Sequence, residues 1–233
     1  MKKRMHYFTG TELALWGGSA GLILISFFTF DRTNYLTLVA SLVGATSLIF
    51  NAKGNPVGQV LMILFSGLYG LISYTFSYYG EMITYLGMTA PMALVALISW
   101  LRNPFKGNRA EVTVNRLHRL EMLLMLGLTV VVTAMFYFVL DACHTTNLIP
   151  STLSVTTSFA AVYLTFRRSP FFALAYAAND VVLIVLWALA AAQNMTYLSV
   201  LICFLMFLVN DLYGFVSWKR MEKRQRENAS IPG

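Results

Sequence analysis

Residues 210–222 read NDLYGFVSWKRME and follow an apolar run, LSVLICFLMFLV, at 198–209. An amide and a carboxylate, Asn210 and Asp211, therefore stand at the end of a segment suited to lipid. The Ser-Trp pair at 217–218 recurs at 99–100, in ALISWLRNPF, and the two copies are 118 residues apart in a chain of 233. A spacing of half the chain predicts two similar halves.

The composition predicts an all-α integral membrane protein. Hydrophobic residues make up 58% of the chain and charged residues 12%, whereas a soluble domain carries about 25% charged residues. About 20 apolar residues cross the hydrocarbon core as a helix. Segments of this length predict eight transmembrane helices: 11–30, 34–50, 57–79, 82–101, 120–141, 150–166, 169–192 and 196–218.

The basic residues give the orientation, because Lys and Arg concentrate in short cytoplasmic loops. With the N-terminus inside, the inner segments hold 16 of the 17 Lys and Arg, and only Arg32 lies outside. Those segments are 1–10, 51–56, 102–119, 167–168 and 219–233. Both termini are thus predicted to be cytoplasmic. The net charge of +7 is explained by this orientation signal and would also attract anionic lipid headgroups, so it does not indicate nucleic acid as a partner.

The repeated Ser-Trp pair predicts how the helices are grouped. Helices 2–4 match helices 6–8, with helix 5 as a linker and helix 1 as an extra N-terminal helix. Each helix and its copy are four crossings apart, an even number, so the repeats are parallel, an arrangement found in transporters with binding sites at the membrane midplane. The predicted units are 1–33, 34–101, 102–149, 150–218 and 219–233, namely the N-terminal tail with its helix, the first triplet, the linker, the second triplet and a basic cytoplasmic tail.

Two aspartates lie inside these helices. Asp180 is 12 residues beyond Arg168, which places it about 18 Å along the helix and near the midplane. Asp211 is 8 residues before Lys219, about 12 Å from the cytoplasmic end. Ionisable side chains at membrane depth usually face an internal cavity and mark a pathway, although hydrogen-bonded helix contacts are the alternative for both.

Helical spacing identifies further candidate binding residues near the two aspartates. Tyr176 shares a face with Asp180, because residues four apart are neighbours on a helix. Aromatic faces with a few polar groups suit a flat, hydroxylated, heteroaromatic ligand. The predicted substrate-binding residues are Tyr69, Tyr176, Asn179, Asp180, Trp187, Asn210, Asp211 and Tyr213.

Other polar and aromatic residues are assigned structural roles. Hydroxyls in membrane helices commonly serve helix packing, which is the expectation for Ser66, Ser73, Ser154, Thr157 and Ser158. Aromatic side chains also anchor helix ends at the interface. We expect this of Trp100 and Trp218, and of Tyr78, Tyr79 and Tyr85 in an outer belt.

Catalysis has little support in the sequence. His6, His118 and His144 lie outside the predicted helices and lack metal-ligand spacing, and no hydrolase or Walker A motif is present. We therefore predict no catalytic residue, no metal and no cofactor. An integral membrane enzyme acting on lipid, or a scaffold subunit without a pathway, remains the rival class.

Three motifs carry a resemblance to a known family. The turn NAKGN (51–55), YYGEM (78–82) and NDLYGFVSWKRM (210–221) resemble the PnuC (nicotinamide riboside) transporter family, over about residues 34–222. The resemblance implies a 3+1+3 core similar in shape to SWEET transporters and a homotrimer in the bacterial plasma (inner) membrane. It further implies facilitated diffusion of an unphosphorylated vitamin precursor, trapped inside by a cytoplasmic kinase.

The substrate helix departs from the family's Trp-x-x-Trp-x-x-x-Asn/Asp pattern. Aligned on Asp180, the chain has Ala173 and Tyr176 where the family has tryptophans. Stacking on one side of the ring is thereby weakened or moved, and Ala173 could open a pocket. Nicotinamide riboside is the expected substrate, with thiamine, riboflavin or a deoxynucleoside as alternatives. Trp187 would lie toward the outer end of the cavity, and Asn210, Asp211 and Tyr213 nearer the cytoplasmic gate.

Overall fold

The computed structural model describes residues 7–75, 79–145 and 147–229. Within them lie eight helices long and apolar enough to cross a membrane: α1 Gly10–Asp31, α2 Tyr35–Ala52, α3 Val57–Thr75, α4 Tyr79–Arg102, α5 Arg119–Ala142, α6 Leu148–Phe166, α7 Phe171–Ala191 and α8 Met195–Ala229. The prediction of eight membrane helices is confirmed. The first six residues, the last four and Tyr78 of YYGEM lie outside the described residues.

The helix boundaries agree with the predicted ones to within four residues, except at the end of α8. That helix continues to Ala229 through the basic tail, whose Lys, Arg, Glu and Gln are good helix formers. An i,i+4 pair between Lys223 and Glu227 adds a little support there. The basic tail is therefore mostly an extension of the last membrane helix.

Two turns at the same place in each half have the same conformation. Residues 53–56 join α2 to α3 and residues 167–170 join α6 to α7, each ending in proline. Gly54 and Arg168 adopt left-handed backbone conformations, with φ of 65° and 56°. In both turns the next amide donates to a helix-end carbonyl at 3.0 Å, and the prolines cannot extend the preceding helices.

The linker between the halves contains a small hairpin that the sequence analysis missed. Strands β1 Pro104–Phe105 and β2 Asn108–Val112 pair antiparallel. Lys106 and Gly107, the two residues of the turn, both have positive φ, at 48° and 78°. Positive φ at both positions suits a two-residue hairpin, because its twist matches that of the strands.

The basic segments gather at one end of the bundle, called here the linker end. Asn55, in the α2–α3 turn, donates to the Tyr7 hydroxyl at 2.6 Å. Gln225 of α8 donates to the Val112 carbonyl of the hairpin at 3.0 Å. The described starts and ends of the chain thus lie on the same side as residues 103–118, as the Lys and Arg distribution predicts. Which side of the membrane this end faces remains a prediction.

The two repeated tryptophans bind across the halves at the linker end. Trp218 Nε1, on α8, donates to the Asn51 carbonyl of α2 at 2.7 Å. Trp100 Nε1, on α4, donates to the Thr165 carbonyl of α6 at 2.9 Å. The two indoles lie 5.4 Å apart, centroid to centroid. Each half therefore donates to a carbonyl at the C-terminal end of the first helix of the other half's triplet.

The serines that precede these tryptophans also donate to carbonyls of the other half. Ser217 Oγ donates to the Ala52 carbonyl at 2.7 Å, and Ser99 Oγ donates to the Phe166 carbonyl at 3.0 Å. The prediction that Trp100 and Trp218 are interfacial anchors is wrong. Both are buried, with 1% and 0% of their surface exposed, whereas an anchor must reach the headgroups. The Ser-Trp repeat is a reciprocal bond between the two halves.

Candidate functional site

A small cavity lies among six of the eight helices, at membrane depth. Its lining comes from α2, α3, α4, α6, α7 and α8, so both halves contribute to it. Five of the described lining side chains are aromatic, and two are carboxylic acids. The lining residues are Gly44, Leu48, Met62, Phe65, Tyr85, Thr89, Ser158, Tyr176, Asn179, Asp180, Phe204, Phe207 and Asp211.

Asp180 and Asp211 bring their carboxyl groups to the same cavity. Asp180 lies on α7 and Asp211 on α8, and both are buried. The two carboxyls are close enough to interact electrostatically. Asp180 Oδ2 has no hydrogen-bond partner among the described residues. A buried carboxylate oxygen without a partner is costly, and it is available to a ligand.

Asn179 is held in place by the hydroxyls of α6. Its Oδ1 accepts hydrogen bonds from Ser154 at 3.3 Å, Thr157 at 2.9 Å and Ser158 at 3.0 Å. Three donors on one oxygen fix the side chain and bind α6 to α7, which is the packing role expected of these hydroxyls. Asn179 reaches the cavity as well, so it both joins two helices and forms part of the lining.

Tyr69 and Trp187 join the halves on the side of the cavity away from the linker end. Trp187 Nε1 donates to the Tyr69 hydroxyl at 2.7 Å, between α7 and α3. The Tyr69 ring packs on Tyr85, with centroids 4.4 Å apart. Trp187 is one of the lining residues of a second, smaller void with Glu81 and Ser151. This hydrogen-bonded pair covers the aspartates on the side away from the linker end.

The Trp100–Trp218 pair covers the opposite side. Trp218 follows Asp211 by seven residues, and Trp187 follows Asp180 by seven, so each tryptophan stands about 10 Å from its aspartate along the helix. Phe172 contacts both Trp218 and Tyr176, with centroids 4.9 and 6.2 Å away. Aromatic side chains thus continue from the cavity to the linker end.

Asn210 and Tyr213 lie on a different face of α8 from Asp211. Asn210 Nδ2 donates to Ser19 of α1 at 2.8 Å. The Tyr213 hydroxyl donates to Glu12 of α1 at 3.3 Å. Glu12 also accepts from Lys53, at the end of α2, at 3.1 Å. The structure therefore places these two predicted site residues in the contact with α1, while Asp211 faces the cavity.

The cavity includes aromatic residues that the sequence analysis missed. Tyr85, predicted for the outer aromatic belt, is instead buried and lines the cavity, so that prediction is wrong. It belongs to a π-helical turn, Thr84–Thr89, a feature that is frequent at functional sites. Phe204, Phe207 and Asp211 are spaced i, i+3, i+7, a pattern that could have identified this face of α8.

Gly44 makes room for the aromatic lining. A Cβ at this position would lie 2.3 Å from Phe207 Cζ and 3.0 Å from a ring carbon of Phe65. Two rings, from α8 and α3, therefore pack directly on the backbone of α2. Only glycine allows this approach without displacing a ring.

The cavity is closed in this conformation. Its free volume is about 20 Å³, whereas a site for a drug-sized ligand usually has roughly 300–1,000 Å³. A ligand larger than one or two waters would have to separate the lining side chains. The described residues hold no cluster of three metal-ligating side chains. What the cavity offers is aromatic surface, an amide and two carboxyls.

Comparisons with known proteins agree with this architecture. Residues 34–220 match the family described as "Nicotinamide mononucleotide transporter". The chain is 30% identical over 204 residues to "Nicotinamide riboside transporter PnuC" of Neisseria mucosa, covering 84% of this chain and 76% of that protein. It is 21% identical over 192 residues to the protein of that name from Haemophilus influenzae, covering 82% of both chains. The solved structure titled "Crystal structure of the Vitamin B3 transporter PnuC" has a TM-score of 0.82 and 26% identity, with 94% of each chain covered.

Proposed function

Because this chain belongs to the nicotinamide mononucleotide transporter family, we propose that it carries nicotinamide riboside, the unphosphorylated nucleoside, across the bacterial inner membrane. The family match spans most of the chain, from residue 34 to residue 220. The chain is a multi-pass membrane transporter of a vitamin rather than an enzyme. The substrate, its route and its fate in the cell belong to the proposal.

The observation that carries the proposal is the cavity between the halves. The Tyr176 and Tyr85 rings and three phenylalanines line it, which suits a flat pyridine ring. The free Oδ2 of Asp180 can accept a hydrogen bond from a ribosyl hydroxyl or from the carboxamide. Asn179, fixed by three hydroxyls of α6, places an amide group in the same lining.

The same lining disfavours the phosphorylated nucleotide. A phosphate monoester adds about 1.5 to 2 negative charges at neutral pH. The described lining has two carboxyls and no Lys, Arg or His, so a phosphate would meet repulsion without a counter-charge. Arginine or lysine normally lines a phosphate site.

The proposed mechanism is facilitated diffusion by alternate opening of the two covered sides. The Tyr69–Trp187 bond would part to admit substrate, and the Ser-Trp bonds at the linker end would part to release it. No nucleotide-binding motif provides a driving force. A cytoplasmic kinase acting on the released nucleoside would keep the gradient inward, and the linker end with both termini would face the cytoplasm. A homotrimer, each chain with its own cavity, completes the proposal.

Position 173 bears on the alternative substrates. Ala173 is fully buried and packs near Gly214, where an added Cβ would lie 3.6 Å from the Ala173 Cβ. It is not among the residues of the cavity, so the pocket expected there for thiamine, riboflavin or a deoxynucleoside gains no support. Nicotinamide riboside remains the proposed substrate.

The test is a binding panel on the purified protein, by calorimetry, with nicotinamide riboside, its nucleotide, thiamine, riboflavin and thymidine. We expect nicotinamide riboside to bind most tightly. Asp180→Asn loses a charge-assisted hydrogen bond, about 1.5–3 kcal/mol, and should weaken binding about ten- to a hundredfold. Tyr176→Leu should weaken it through lost stacking, whereas Tyr74→Leu, on the exposed face of α3, is the matched control. Tighter binding of thiamine or riboflavin would contradict the proposal.

A further inference from the structure

The lining of the cavity has an unusual balance of charge for a buried site. Two carboxyl groups, Asp180 and Asp211, face it, and the described lining supplies no basic side chain. Removing such a pair from water without a counter-ion is costly, because desolvation and mutual repulsion both oppose the charged forms. Asn179, the amide beside them, has its oxygen already bound to three hydroxyls. The carboxyls contact each other, but no cationic group of the described lining neutralises the pair.

The remaining walls are of a type that attracts cations. Five aromatic rings line the cavity, from Phe65, Tyr85, Tyr176, Phe204 and Phe207. The face of an aromatic ring carries partial negative charge, and rings arranged around a site bind quaternary nitrogen in other proteins. Aromatic walls and a carboxyl pair without a cationic partner in the described lining are complementary to one kind of ligand, a flat organic cation.

We propose that this cavity selects its substrate by charge, taking a permanently cationic aromatic ring in preference to a neutral ring of the same shape, with Asp180 and Asp211 as the selecting pair. The inference rests on the proposed function, since the ring of nicotinamide riboside is a quaternary pyridinium. Bound between the carboxyls, the ring nitrogen supplies the counter-charge that the lining lacks. Asp211 thereby joins Asp180 as a residue that determines specificity.

The test compares nicotinamide riboside with its carbon isostere, 3-carbamoylphenyl riboside, which keeps the carboxamide and ribose but has no ring charge. Binding of each to the purified protein is measured at one pH and one ionic strength. We expect the cation to bind at least tenfold more tightly to the unaltered protein. In the Asp180→Asn/Asp211→Asn double variant the two affinities should come within about threefold of each other. Asp31→Asn, which removes a buried carboxyl at the end of α1 and outside the described lining, should keep the full preference.

Equal binding of the two ligands by the unaltered protein would overturn the inference and leave the proposed function standing. A double variant that still prefers the cation tenfold would overturn it too, since the selecting charge would then lie elsewhere. If neither ligand binds, the proposed function and the inference fall together. The comparison on the unaltered protein decides the matter even where the double variant does not fold.

Discussion

Asp180 and Asp211 are 31 residues apart in the chain, yet their carboxyls share one cavity. The number of residues between each aspartate and the nearest basic residue predicts how deep it lies in the membrane. It places Asp180 near the midplane and Asp211 nearer the linker end. It does not give the rotation of a helix about its axis. That rotation turns Asp211 toward α7 and its neighbours Asn210 and Tyr213 toward α1. The sequence therefore identified the polar residues that lie inside the membrane-spanning helices. The packing of α1 against α8 determines which of these residues line the cavity and which contact α1.

The first prediction at the residue scale concerns Gly44, where a substitution by alanine adds one methyl group. Gly44→Ala would press on Phe207 and Phe65, and overpacking of this kind costs about 1–3 kcal/mol. We expect a lower midpoint of thermal unfolding and weaker nicotinamide riboside binding, because the displaced ring moves into the cavity. Gly67→Ala is the control, since a Cβ there meets nothing within 4 Å. If the Gly44 variant binds and melts like the Gly67 variant, the close approach of α2 to the aromatic lining is not important.

At the scale of elements, the Ser-Trp pairs join the ends of helices that are far apart in the chain. Trp218→Phe and Trp100→Phe would each remove the indole donor from a helix-end carbonyl, of Asn51 or Thr165, which keeps only the hydrogen bonds from its own turn. Loss of one buried hydrogen bond to an acceptor that keeps another donor costs about 0.5–1.5 kcal/mol. We expect both variants to unfold at lower temperature while their affinity for nicotinamide riboside stays within about threefold.

Trp16→Phe is the matched control for these variants. Trp16 is 42% exposed and donates to Thr46 at 3.1 Å, so its loss should lower the unfolding temperature less. Trp218→Phe would contradict this account if it unfolded at the same temperature as Trp16→Phe. A large loss of affinity without a loss of stability would instead make the tryptophan part of the binding site.

The helices themselves could be predicted from the sequence, because each must be apolar over its own length to cross a membrane. The structure adds a local signal at the start of α1, where Thr9 forms a capping box with Glu12. The hairpin at 104–112, the π-helical turn at 84–89 and the burial of Trp100 could not be predicted in this way. The burial of Trp100 depends on contacts with α6 and α8, which are distant in sequence. The hairpin and the π-helical turn are local, but they are too short to produce a periodic pattern of apolar residues.

At the scale of the whole molecule, the basic segments share one end, and we predict that this end is cytoplasmic. In a chain with Cys143→Ser and Cys203→Ala, a single cysteine would be placed at Lys106 in the hairpin or at Asn194 between α7 and α8, both exposed. A membrane-impermeant thiol reagent added to intact cells should label Asn194→Cys and should reach Lys106→Cys only after lysis. The reverse pattern would show that the chain is inserted the other way.

The central claim is that the closed cavity between the halves is a passage for nicotinamide riboside that opens on either side without an energy source. The most direct test is uptake of labelled nicotinamide riboside by liposomes that contain the purified protein and no kinase, ATP or ion gradient. We predict saturable uptake that stops when the internal concentration equals the external one, and that is slower with Asp180→Asn at subsaturating substrate. Uptake no faster than in protein-free liposomes, or accumulation above the external concentration, would contradict the account.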